Sequence, residues 1–478
     1  MFLRACIAKM QAIFKNWRKI MRKLIGDKAF YKKVFAVAIP IMLQNGISNF
    51  VNLLDNIMVG RLGTEQMSGV SIVNQLIFIF FLCLFGAVGG IGIFTAQYAG
   101  QKNDEGIRQT FRFKLFLGFI ILALFCAIFI LKDTELISLY LHEGSKEGDL
   151  ALTLSCGKQY MAVMLIGLIP VILEQVYSST MRECGETVVP MIASVVAVFV
   201  NLFFNYVLIF GNFGAPALGI VGAAVATNIS RFLQAGIVVI YTHTHAKKFG
   251  YITGMYKSVK VPFDLIKKMM FMATPLIFNE TLWAAGIAVQ TQIYSARGLS
   301  VVAGLNINST IYNVFNIAFI AMGDAVAIIV GQLLGAGKNE EATDTAYKII
   351  SFSTVMCIGI GAILYFLAPL FPEIYNTTDE VKEIAAGIIR ISAIMMPVNG
   401  FLHSTYFTIR SGGKTIITFL FDSVFLWVIS VPLAYVLVYM TGMSIFAAFF
   451  FVEATGIIKA FIGWLILKSG TWNNTIVS

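Results

Sequence analysis

Residues 38–63 read AIPIMLQNGISNFVNLLDNIMVGRLG, an apolar stretch with a proline near its start and one carboxylate, Asp55, near its end. Residues 273–298 answer it with ATPLIFNETLWAAGIAVQTQIYSARG, and a shift of 235 positions lays Ala38 on Ala273, Pro40 on Pro275 and Gly63 on Gly298. At that shift Asp55 falls on Gln290 and Asn45 falls on Glu280, so each copy carries one acid at a different level. The match continues with Gly69 on Gly304, Gln97 on Gln332 and Gly100 on Gly335. A second match, at a shift of 228, sets MRECGET (181–187) on IRSGGKT (409–415). The chain is therefore read as two copies of one unit.

The composition names the solvent. Hydrophobic residues make up 58% of 478 and charged residues 13%, where a soluble chain of this length carries about a quarter charged. Mean hydropathy is +0.82. Many segments reach the ~20 apolar residues that cross ~30 Å of hydrocarbon. Without water, a spanning backbone must satisfy itself as a helix or a closed barrel. These segments are uniformly apolar and lack the period-two alternation of barrel strands, so they are helices. Twelve spans are expected, roughly 34–59, 68–97, 110–131, 152–178, 187–210 and 216–242, then 269–296, 305–334, 346–370, 384–409, 415–439 and 444–467. The fold class is an all-α membrane protein with twelve transmembrane helices in two pseudo-symmetric six-helix lobes. The expected division is a basic cytoplasmic segment (1–33), an N-terminal lobe (34–245), a basic linker (246–268) and a C-terminal lobe (269–478). Six spans per copy give both copies the same orientation, with a substrate path expected between the lobes.

The net charge of +10 is concentrated in residues 1–33, which hold ten Lys or Arg against Asp27 alone. Next to a first span, that excess points to the cytoplasmic side of a membrane rather than to nucleic acid. Ile13, Trp17, Ile20, Met21 and Leu24 share one helical face, as in an amphipathic helix on an anionic leaflet. Connections after even-numbered spans are basic (Lys102, Arg108, Arg112, Lys114; then Lys247, Lys248, Lys257, Lys260, Lys267, Lys268), whereas 132–150 and 372–383 are acidic. Both termini are then expected in the cytoplasm of a multi-pass protein of the cell membrane. No removable signal peptide is expected. The six cysteines are scattered without a CxxC and read as small apolar residues, with no metal framework.

Charges inside spans cost at least ~2.5–3.5 kcal/mol at the bilayer centre, so each needs a partner or a purpose. Glu280 lies about twelve residues past Lys268, roughly 18 Å into its helix and near the midplane. A carboxylate stripped of water there needs a proton or a cation such as Na⁺. Asp55 belongs to the outer half of its lobe. Asn201 and Asn205, four apart on one helical face, can form a network with Asp55 or act as glue between helices. Glu174 and Asp324 are further candidates, Asp324 either facing the cavity or closing a packed interface. Asn399 and His403 rank lower, and Asp422, Glu453 and Lys459 are expected to pair with other groups or reach toward helix ends. The 41 Phe and 20 Met can supply an adaptable surface for varied flat or cationic compounds, although most of them must face lipid or pack. There is no P-loop, HExxH or GxSxG motif, which argues against ATP-driven transport and against the commoner membrane hydrolases. The chain is not expected to be an enzyme.

The segments IPIMLQN…LLDNIMVGRLG, GIFTAQYAGQKN, MRECGET, VNLFFNYVLIFG and IRSGGKT resemble those of the multidrug and toxic compound extrusion (MATE) family. The likeness covers nearly all of the chain after residue 33. It implies a secondary antiporter that exports organic, often cationic, compounds in exchange for H⁺ or Na⁺, with no cofactor beyond the coupling ion. It also implies cation coupling at Asp55 in the first span and at Glu280 in the seventh. Two departures stand out: Asn205 occupies a place where some relatives carry aspartate, and the tenth span offers Asn399 where some carry an acid. Glu280 would then work with Asp324. The expected partners are the bilayer and a drug-like organic cation, and a monomer is expected. The alternatives are a flippase for a lipid-linked precursor, which would need a larger basic cavity, and a membrane-embedded transferase, which would need a cluster of His, Asp or Arg at one interface.

Overall fold

The computed structural model describes residues 24–141 and 149–477, with the backbone alone at 52 and 53. The amphipathic face expected over 13–24 lies almost wholly outside the described residues, as does 142–148 of the acidic connection. Among the described residues there is helix and no strand. The helices are α1 (Lys28–Gly60), α2 (Thr64–Gln101), α3 (Asp104–Leu131), short α4 (Asp133–Ser138), α5 (Leu150–Ile166), α6 (Leu168–Glu183), α7 (Val188–Phe210) and α8 (Gly219–Thr244). The second series is α9 (Phe263–Ser295), α10 (Leu299–Gly335), α11 (Asn339–Leu367), α12 (Asp379–Ser411), α13 (Thr415–Met440) and α14 (Ile445–Ser469).

The repeat is visible in the helix lengths. The opening helices α1 and α9 each have 33 residues with a proline at the same position, Pro40 and Pro275. They are followed by helices of 38 and 37 residues and then of 28 and 29. Among the described residues, ten helices are long and apolar enough to span a membrane, and α5 with α6 makes an eleventh as a bent pair. The remaining expected span, the seventh, is α9, which is long enough but is not among them; it carries Asp264, Lys267, Lys268 and Glu280. The fourth span is not one rod: α5 and α6 meet at 45° across Gly167. Pro170 lacks the N–H that Ile166 would accept from in a continuous helix, which frees that carbonyl and favours the break. In α13, wide turns at Leu420–Val424, Leu426–Ser430 and Val436–Met440 interrupt the regular helix.

The chain forms two compact units. One takes the described residues up to Ile39 together with Trp283–Ser478, and the other is Pro40–Leu282. The divisions fall inside α1 and α9 rather than in the 246–268 connection. In the first unit, Tyr31 and Phe35 from the start of α1 set their rings 5.0 and 5.5 Å from Phe352 of α11. In the second, the start of α9 packs on α2 at Gly86 and Gly90, a four-residue spacing of small residues that lets backbones approach. A Cβ added at Gly90 would overlap Ala273 Cα. The 246–268 connection also belongs to this unit: Arg108 and Arg112 of α3 donate to the carbonyls of Tyr251 and Met255 at 2.9 and 3.0 Å.

One charge read as part of a cytoplasmic connection is inside the helical core. Lys114 of α3 is fully buried, and its Nζ lies 2.5 Å from Glu183 of α6. The same ammonium donates to Ser179 Oγ at 3.4 Å and Thr180 Oγ1 at 3.3 Å, so all three protons have acceptors. The pair ties α3 to α6.

Two outcomes follow for stability. Gly90→Leu is expected to abolish recovery of monodisperse protein in detergent, whereas Gly236→Ala, where nothing lies within 4 Å of the added Cβ, leaves it intact; size-exclusion chromatography reads the difference. Lys114→Ala strands Glu183 and is expected to cost about 3–5 kcal/mol. The double change Lys114→Met with Glu183→Leu is expected to recover most of the thermal-melting midpoint.

Candidate functional site

Asp55 sits on α1, five residues before the helix ends at Gly60 and gives way to Arg61 and Leu62 at the α1–α2 turn. The half-buried carboxylate faces α7. Asn205 donates through Nδ2 to Asp55 Oδ1 at 2.6 Å. Asn201, one turn earlier, lies against the same carboxylate. With its amide nitrogen turned inward it donates to both Asp55 oxygens at 2.9 and 3.0 Å, the orientation that satisfies both groups. Asn201 also lies 3.3 Å from Thr227 Oγ1 of α8. Both asparagines are at least nine-tenths buried. Two amides projecting from an apolar helix thus meet the one carboxylate that α1 carries in this span. The glue role and the Asp55 role are the same contact. Asp55 forms no ion pair among the described residues.

Beside this network, α1 and α7 bound an open groove of about 650 Å³. Its walls are Leu54, Ile57 and Met58 from α1 and Phe199, Phe203 and Tyr206 from α7, with Arg61 at the rim. Glu174 stands apart from Asp55's hydrogen-bond set, on α6 near Ser178 and Gln234.

Glu280 is half-buried on α9 and belongs, by compactness, to the Pro40–Leu282 unit that also holds Asp55. Its neighbour Thr281 lies 3.8 Å from Cys83 Sγ of α2. Asp324 is half-buried on α10, next to Gly323, which packs on His403 and Phe407 of α12. Glu280 and Asp324 each interact with neighbouring groups. In the unit that holds Asp324, Asn399 of α12 donates to the Tyr312 hydroxyl of α10 at 2.8 Å. Tyr312 and Tyr294 both lie within electrostatic reach of Glu453 of α14. His403 is enclosed by the rings of Phe319 and Phe407, with Nε2 unpaired among the described residues. Lys459 pairs with Asp422 of α13 at 2.6 Å and not with Glu453. Asp422 lies in the first wide turn of α13.

Residue-by-residue reading of the sequence missed Arg231. It lies on α8, one turn beyond Thr227, in the middle of a span. Its signal was present: an arginine inside GIVGAAVATNISRFLQAGIVVI needs the same explanation as an acid there.

A family model described as MatE matches residues 40–207 and 275–436. A probable multidrug resistance protein NorM from Thermotoga maritima is 26% identical over 453 residues, which cover 93% of this chain and 94% of that protein. A probable NorM from Bacillus subtilis is 24% identical, with 89% and 92% covered. Among solved structures, a Vibrio cholerae MATE transporter, VcmN, has a TM-score of 0.83 at 17% identity and covers 93% of this chain and 98% of that one. An outward-facing multidrug resistance MATE family transporter of the MOP superfamily has a TM-score of 0.80 at 18% identity, with 94% and 98% covered. At such identities the structures share the fold. The two matched blocks begin at Pro40 and Pro275, the paired prolines of the repeat, and together take in more than half of the chain, which belongs to the MatE family of membrane transporters.

Proposed function

We propose that the protein is a secondary active antiporter that exports organic compounds in exchange for H⁺ or Na⁺, by alternating access of two lobes, with both termini in the cytoplasm. The names of the relatives, as multidrug resistance proteins, support the cargo. The observation that carries the coupling role is Asp55: a carboxylate inside a spanning helix, held by the neutral amides of Asn205 and Asn201 and by no cation among the described residues. A permanent ion pair would fix its charge. Amides hold the ionised form in place and leave it free to gain and lose a monovalent cation. The N–H groups turned toward Asp55 support its ionised form, and the amide oxygens of the same two asparagines lie in the same cluster. The groove of Met58, Phe199, Phe203 and Tyr206 supplies the adaptable apolar surface that varied cargo requires.

Glu280 is the second coupling candidate, with Asp324 in a supporting role. One elementary charge moved across 100 mV is worth ~2.3 kcal/mol, enough to concentrate cargo about fifty-fold.

The test is dye efflux from proteoliposomes under a pH gradient and, separately, a Na⁺ gradient. Asp55→Asn is expected to abolish proton-driven efflux, and Glu280→Gln to reduce efflux under whichever gradient its site uses. If the double variant pumped at the wild-type rate under both gradients, the antiport reading would be wrong.

A further inference from the structure

Arg231 stands at the break in the fourth span. In a continuous helix Gly167 N–H would donate to Val163; here it donates to Met164 instead, at 3.0 Å. The carbonyl of Val163, freed by that change, accepts from Asn228 Nδ2 of α8 at 2.6 Å. Asn228 thus holds the break open with its nitrogen. Its Oδ1 is buried and has no partner. Arg231 follows three residues later on the same face of α8, and its Nη1 is also buried and without a partner. The two groups converge on Gly167: a Cβ there would overlap Asn228 Oδ1 and lie 3.2 Å from Arg231 Nη1. Phe81 of α2 sets its ring 5.6 Å from the guanidinium carbon. The Tyr160 hydroxyl of α5, which donates to Asn74 of α2 at 3.3 Å, lies within electrostatic reach of both Arg231 and Asp55.

Arg231 forms no hydrogen bond and no ion pair with any described residue. A guanidinium has five donors and keeps its charge at every accessible pH. A face-on ring at 5.6 Å offsets only part of the loss of hydration, and the carbonyl end of α5 offers a partial negative charge without a hydrogen bond. Those two contacts are the purely structural account, and they leave every N–H unmatched. The depth excludes a lipid headgroup as the missing partner. Arg231 lies twelve residues into α8, Tyr160 ten into α5 and Asn74 ten into α2, about 15–18 Å from helix ends that share one membrane face.

We propose that Arg231, with Asn228 and Tyr160 beside it, is a binding site for the carboxylate of an organic cargo molecule. The carboxylate accepts the guanidinium fork, Asn228 Oδ1 takes a neighbouring hydroxyl or ammonium of the same molecule, and Phe81 packs on its apolar body. Phe81 and Arg231 are each half-buried, so neither residue is wholly enclosed by protein. The inference rests on the export reading and deepens it: it gives a carboxylate-bearing cargo a specific partner, Arg231, on α8.

The experiment measures equilibrium binding to the purified full chain in phosphatidylcholine nanodiscs. It uses a fluorescent rhodamine with a free carboxylate and the methyl ester of the same dye. No gradient is involved, so a failure of the antiport reading leaves this result readable. Wild-type protein is expected to bind the acid. Arg231→Gln is expected to weaken the acid by about tenfold or more and the ester by less than about twofold, the worth of a charge-assisted hydrogen bond. Arg231→Lys, which keeps the charge and loses the fork, is expected to fall between and guards against poor folding of the first variant. Equal weakening of acid and ester in both variants would assign Arg231 to structure alone and overturn the proposal. So would unchanged acid binding in both variants, or a wild-type protein that binds the ester and not the acid.

Discussion

A charge inside hydrocarbon must be answered, and this chain answers each of its charges differently. Lys114 is matched to Glu183 with every proton accepted, so it locks two helices and has nothing left to exchange. Lys459 is matched to Asp422. Asp55 is matched only by amides. The difference underlies the coupling role proposed for Asp55: a lipid-embedded ion pair is fixed by the cost of separating it, whereas a carboxylate supported by neutral donors can change its ionic state without stranding a partner. Asn205 in place of a second acid has the same effect, because it keeps one ionisable group in the network instead of a coupled pair.

The scaffold was legible because it is written twice. Two helices of 33 residues with a proline at the same place, at a shift of 235, leave few alternatives to a repeated bundle. The Asp55–Asn205–Asn201 cluster was legible because the asparagines recur at four residues on an apolar helix, where an amide is conspicuous. Other features were not. Lys114 follows Arg108 and Arg112 and reads as part of a basic connection; only the start of α3 at Asp104 and the facing Glu183 bring it inside. The division of the compact units within α1 and α9 depends on contacts such as Gly90 with Ala273, which no local pattern encodes. The break at Gly167 had its signal in Pro170, but Pro397 lies well inside α12 and leaves that helix unbroken.

The two proline-containing spans differ in what takes up the lost hydrogen bond. Proline removes a donor in both the fourth and the tenth span. In α12 the helix absorbs the loss. In α5 and α6 a glycine three residues before the proline gives room for side chains from α8, and Asn228 takes the freed carbonyl of Val163. The backbone has exchanged one internal hydrogen bond for one from a neighbour, and so opened a place where a side chain lies against main chain in the middle of a span. Irregular backbone at membrane depth is tolerated only where protein or a polar cavity covers it. Here the cover is polar and incomplete: Asn228 Oδ1 and Arg231 Nη1 are buried without partners among the described residues.

The same unit therefore holds a carboxylate answered only by neutral donors and a guanidinium with no hydrogen bond or ion pair among the described residues, both within electrostatic reach of the Tyr160 hydroxyl. Their direct pairing would satisfy both charges and leave neither free to exchange. They are instead held apart on different helices, Asp55 by α7 and Arg231 against the break between α5 and α6. Such separation costs stability in a low-dielectric interior and is sustained by the amides on one side and the Phe81 ring on the other. A transporter gains from that arrangement: opposite charges kept apart in one unit give a cation and an anionic group separate places to bind, and occupation of either changes the field felt by the other.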